Sequence, residues 1–176
     1  EYIEDNFSNW KNILLINTNN NVKDRYEYSA MLKKPQFWEN FKNWSHILIY
    51  QCDALLLRKI DEVYFNYDYI GAPWESIDNW KIKKPPKYNG GNGGFSLRRI
   101  EKMIECCEEN RYIENISKDN EDVFFCRCNL NFIEEKSVLH RNFSIETIYG
   151  NNPVGIHQLY RYIDNIMTDV EEKKFW

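Results

Sequence analysis

The chain has 176 residues, of which 43% are apolar, 16% aromatic and 28% charged, with a formal charge of -4. That length is enough for one core burying roughly 68 to 70% of the unfolded surface, and the composition excludes a disordered or fibrous chain. No run of 18 apolar residues occurs, and EYIEDNFSNW at the start is acidic and polar; neither a membrane span nor a signal peptide is expected, and a cytoplasmic location follows as an expectation. Basic residues are scattered apart from KIKKPPK, which leaves no electrostatic footprint for nucleic acid.

In chain order, NILLINT (12–18) reads as a buried strand closed by the Asn-rich turn at 17–21. VKDRYEYSAML then offers Tyr26, Ala30 and Met31 at helical spacing, and Pro35 opens a short helix with Phe37, Trp38 and Phe41 on one face. HILIYQ (46–51) is a continuous apolar run, the pattern of an internal parallel strand. A helical turn is expected over 60–65 and a strand in YDYIGAP, followed by a loop through KIKKPPK, where Pro85 and Pro86 forbid regular structure. After the glycine-rich GGNGG comes an amphipathic helix over about 99–109, and Asn120 is expected to cap another. Helix or turn at 131–141, a short strand at FSIE, a loop at 151–155 and a helix over 158–168 complete an α/β reading of one domain, 1–176.

The five cysteines show no CxxC pair and no zinc spacing, so reduced thiols are expected. Sequons begin at Asn6, Asn43, Asn115 and Asn142, but in so Asn-rich a chain they are weak evidence of secretion. Only three alanines, against many Asn, Lys, Ile and Tyr, suggest an AT-rich genome such as that of a protist or giant virus.

Asp53 follows an apolar strand, the edge where open α/β sheets bind ligands, and could hold Mg or Mn with substrate phosphates completing the shell. From position alone, a turn-forming or helix-capping Asp before ALLL is the commoner case. Gly90 to Gly94 lets the backbone pass close to a ligand or adopt positive φ, without a Walker or GxGxxG signature; a plain flexible turn fits as well. Glu121 and Asp122 are adjacent acids at a helix start, where one could serve as general base, or both could simply favour the helix dipole. His157, read as a loop residue, could bind metal or phosphate, although a lone histidine is more often structural.

QCDALLL (51–57), YDYIGAPW (67–74), GNGGFSLR (91–98), EDVFF (121–125), FSIE (143–146) and PVGIHQ (153–158) together resemble an uncharacterised family of GT-A-like glycosyltransferase domains. The layout is similar, more distantly, to β-1,4-galactosyltransferase-type enzymes. That resemblance implies a Rossmann-related mixed sheet with flanking helices. It also implies Asp53 and His157 as ligands of Mn or Mg, and Gln51, Trp74, Asn92, Gly93 and Gly94 beside donor and acceptor, with Asp122 or Glu121 as base. QCD keeps only the last Asp of a DxD, which puts metal dependence in doubt.

The expected activity is hexosyl transfer from a nucleoside-diphosphate sugar to a hydroxyl of a glycan or protein. The rival is a non-catalytic carbohydrate-binding or assembly module that kept the fold. The resemblance implies a strand-helix-strand unit for the nucleotide ahead of Asp53, but only one strand is read there, so that unit is expected to lie upstream or on a partner chain, or to have been lost. Weak nucleotide binding and an open sheet edge at 13–16 that drives self-association follow from that reading.

Overall fold

The computed structural model describes residues 22–75, 88–110 and 119–158. The strand expected at 12–18, the KIKKPPK loop and the helix expected over 158–168, save Gln158 itself, lie outside the described residues.

Helix α1 (Arg25–Leu32) starts where the Asp24 carboxylate accepts the N–H groups of Tyr26 and Glu27 at 2.8 and 2.9 Å. Its buried face corrects the expected one: Ser29 and Leu32 point inward with Tyr28 and Met31 half-buried, whereas Tyr26 is 55% exposed and Ala30 is exposed. The Leu32 carbonyl takes the indole N–H of Trp38 at 2.7 Å, which ties that face to the next helix. Helix α2 (Pro35–Glu39) has Pro35 at its first turn, as expected, and buries Trp38 edge-on against Phe37 and Phe125.

Strands β1 (His46–Tyr50), β3 (Tyr69–Ala72) and β4 (Asn92–Arg99) form one sheet in the order β1-β4-β3, with both pairings antiparallel. Strands β2 (Ala54–Leu56), β5 (Ser144–Ile145) and β6 (Gly155–His157) form a second in the order β2-β6-β5, where β5 and β6 are parallel. A 3-10 turn (Glu62–Asn66) precedes β3. Helices α3 (Ile100–Asn110), α4 (Glu121–Phe125) and α5 (Val138–Arg141) complete a mixed α/β fold of two small sheets with flanking helices.

The parallel pairing expected of HILIYQ is corrected: among the described residues β1 pairs only with β4, antiparallel. Its unbroken apolar run has another cause. Ile47 and Ile49 pack against a core layer containing Leu32, Trp38, Met103 and Phe125, while Leu48 packs against one containing Tyr64, Phe95 and Phe143. A strand apolar on both faces needs only two covered faces, whatever the direction of its neighbour. Tyr69 and Ile70 of β3 divide between the same two layers.

Three further local readings change. ALLL begins a strand, so Asp53 caps no helix and lies in the turn between β1 and β2. GIH is strand β6 rather than loop. The segment after Gly91 is the central strand of the first sheet, because FSLRR pairs on both sides despite the glycines before it. All five thiols are free, four of them buried.

Candidate functional site

Gly91 has φ of +93°, a backbone that side chains resist, and turns the chain into β4. Opposite β3 the register is broken: Ile70 pairs with Leu97 but Ala72 with Asn92, which leaves an extended bulge on β4. The bulge re-aims the glycines. A Cβ on Gly94 would overlap His157 and the Phe95 ring abuts Gly155, so two consecutive residues face β6, whereas a Cβ on Gly93 would overlap the Glu121 carboxylate. One peptide therefore separates a cluster of acids from a cluster around an imidazole. Gly93→Ala is expected to destabilise the fold by roughly 1–3 kcal/mol, as overpacking does, in a thermal melt beside the parent chain.

On the acid side, Glu121 and Asp122 open α4 and are both buried. Asn120 occupies the N-cap position without a side-chain capping bond, so these acids are placed by tertiary partners. Arg98, which has no exposed surface, donates from Nη2 to Glu121 Oε1 at 2.8 Å and from Nε to Ser96 Oγ at 2.8 Å. Its guanidinium lies over Tyr69, Phe125 and Trp38 at 4.9, 5.4 and 5.7 Å from the ring centres. Asp122 accepts the N–H of Val123 at 2.7 Å and that of Gly93 at 3.3 Å. The guanidinium is bonded to Glu121 and reaches Asp122 only as a nearby positive charge. Burial first, and the neighbouring Glu121 charge second, push the Asp122 carboxyl up to about 7. A carboxyl balanced near neutrality can take up a proton and release it again.

On the other side of the Gly93–Gly94 peptide, His157 Nε2 lies 3.2 Å from Gln51 Oε1 and 3.5 Å from Asp53 Oδ1. Gln51 is held by its N–H bond to the Gly94 carbonyl at 2.9 Å, and its own carbonyl accepts the Ala54 N–H at 3.0 Å across the turn that presents Asp53. The separations are close to the ~3 Å edge between neighbouring ligands around a cation with bonds of about 2.1 Å. An imidazole nitrogen with two oxygens is also a donor set suited to Mn. Among the described residues no three His, Cys, Asp or Glu side chains gather as a full ligand set, so this corner would depend on the Gln51 amide and on oxygens from a ligand.

The family model described as "Protein of unknown function (DUF5672)" matches residues 11–157, most of the chain. The chain belongs to the DUF5672 family. No curated protein and no solved structure matches it.

The segment matched to DUF5672 contains all nine residues expected at the site and ends on His157. Gln51, Asp53 and His157 converge, as do Glu121, Asp122 and the Gly93 amide; Gly94 touches the first group. Asn92 stays local, its side chain accepting the Gly94 N–H at 2.7 Å. Trp74 is 7% exposed and belongs to the helix-side core, with its backbone N–H and carbonyl bonded to Asn89. Tyr28, Arg98 and Glu146 were missed. Tyr28, half-buried on α1, lies within electrostatic reach of Gln51 as well as of Arg98, Glu121 and Asp122, so this DUF5672 chain sets α1 beside both clusters. Tyr28 stands two positions from both Tyr26 and Ala30 and three before Met31, on the face that packs inward with Leu32.

Proposed function

We propose that this domain transfers a sugar from a nucleoside-diphosphate sugar to a hydroxyl acceptor, in a GT-A-like arrangement. The observation that carries the reading is Asp122, a buried carboxyl raised to about 7 that accepts the amide of Gly93, on the buried glycine peptide between the acids and His157. In the reaction, the acceptor hydroxyl oxygen bonds to the anomeric carbon as the bond from that carbon to the phosphate oxygen breaks. The departing diphosphate keeps the electron pair, and the hydroxyl proton passes to Asp122. Only the ionised carboxylate can accept it, so turnover should rise with pH through about 7. Glu121 is committed to Arg98 and holds the helix start in place.

Asp53 and His157, with Gln51 beside them, are the residues that would hold Mn or Mg; the cation would supply positive charge facing the departing diphosphate. Gly94 leaves room for the His157 ring, which contacts Gln51, and Tyr28 lies within electrostatic reach of both Gln51 and the acids.

The test is a screen of the full chain against nucleotide sugars with Mn, scored by release of nucleotide. Release with one donor supports transfer; none with any donor favours the carbohydrate-binding or assembly module, a reading to which the two-ligand corner lends weight. Asp53→Asn, in a turn and only partly covered, is expected to abolish Mn-dependent binding of nucleoside diphosphate in calorimetry while the melting temperature stays the same. Unchanged Mn-dependent binding would remove Asp53 from the site.

A further inference from the structure

FSIE is one of the segments on which the resemblance rests, yet it has no part in the chemistry above. Parallel pairing of β5 with β6 sets Ser144 opposite Gly155 and Ile145 opposite Ile156, which brings the next residues, Glu146 and His157, side by side. Glu146 Oε2 and His157 Nδ1 face each other at 3.7 Å. The residues are 6% and 2% exposed, and neither atom has another hydrogen-bond partner. Two buried polar atoms left unpaired are costly, and closing their gap by about 0.8 Å would make one charge-assisted hydrogen bond.

We infer that Glu146 is a positioning residue: its carboxylate accepts the proton of His157 Nδ1 and thereby keeps Nε2 unprotonated and aimed at Gln51 and Asp53. The consequence for cation binding rests on the reading proposed above. An imidazole that donates from one nitrogen to a carboxylate offers a more basic lone pair on the other, in a fixed orientation. The opposite tautomer would point an N–H at Asp53 and exclude a cation from the corner. Gln51 fits either way, since its amide can turn its NH2 toward the Nε2 lone pair.

The experiment compares the ring-nitrogen NMR shifts of His157 in its neutral form in the 15N-labelled full chain, Glu146→Gln and Glu146→Leu, with Mn titrated into each by calorimetry. The parent chain is expected to carry the proton on Nδ1. Glu146→Leu should shift it toward Nε2 and weaken Mn binding roughly 10- to 100-fold, with Glu146→Gln, which retains an acceptor oxygen, between the two. A parent ring protonated on Nε2 would overturn the inference without any variant, as would identical tautomers in the parent and Glu146→Leu. If Mn binds none of the proteins, the cation reading fails, and the nitrogen shifts still decide whether Glu146 sets the tautomer.

Discussion

Asp122→Asn should lower sugar transfer by three or more orders of magnitude and, at pH 8, make the protein more stable. Loss of the proton acceptor accounts for the first effect. The second follows from the direction of the shift. The carboxyl ordinarily titrates near 3.8 and is raised to about 7 in the fold, so between those values the native state keeps a proton that the unfolded chain has lost. Stability therefore falls as pH rises from about 4 to about 7 and levels off above that, by up to about 4 kcal/mol at 1.36 kcal/mol for each unit. Asn carries no charge to bury, but its NH2 cannot accept the Gly93 N–H, which returns about 1–2 kcal/mol of the gain. Denaturant melts at pH 5 and pH 8 should show the parent losing stability between them and the variant nearly level. Parallel slopes would mean that Asp122 stays ionised throughout, and retained turnover would take the proton transfer away from it.

Arg98→Met is expected to have the largest effect on folding. Arg98 is fully buried, and removing it leaves Glu121 without its ion-pair partner and three aromatic rings without the cation over them. Breaking one side of a buried pair costs about 3–5 kcal/mol, a large share of an ordinary domain's stability. Arg98 also lowers the proton affinity of Asp122, so its removal should push that carboxyl higher still and extend the fall in stability to higher pH. Adding Glu121→Leu to Arg98→Met should recover part of the loss, because the charge left behind goes with it. A double variant less stable than Arg98→Met alone would show that Glu121 contributes through contacts other than Arg98.

How far the molecule could be read in advance differed between its two halves. EDVFF was legible as a helix start because acids cluster there after a good capping residue, and the helix follows at Glu121–Phe125. Its partner was not. Arg98 and Arg99 are adjacent and alike in sequence, yet one is sealed under aromatic rings and the other pairs with Asp68 at a partly exposed edge. Only the alternation of β4 between two core layers separates them, and the glycines ahead of them hid that strand. His157 posed the converse problem: its residue type was suggestive, but its neighbours come from the β1–β2 turn and from Glu146 just after β5, and strands of two or three residues leave almost no periodic trace. A continuous apolar run, such as HILIY, reports that both faces are covered and says little about the direction of the next strand.

The placement of the glycine peptide has a further consequence for motion. Gly93 and Gly94 are buried in the bulge of β4, where their amides are held by the Asp122 and Asn92 side chains and the acids beside them are themselves buried, so these amides should exchange with solvent slowly. Asp53 stands instead on a partly exposed turn leading into a three-residue strand at the margin of the second sheet. That turn should open far more often, at little expense to the rest of the fold. If the proposed transfer reaction holds, a bulkier donor would be accommodated by displacement of the Asp53 side, while Asp122 keeps its position.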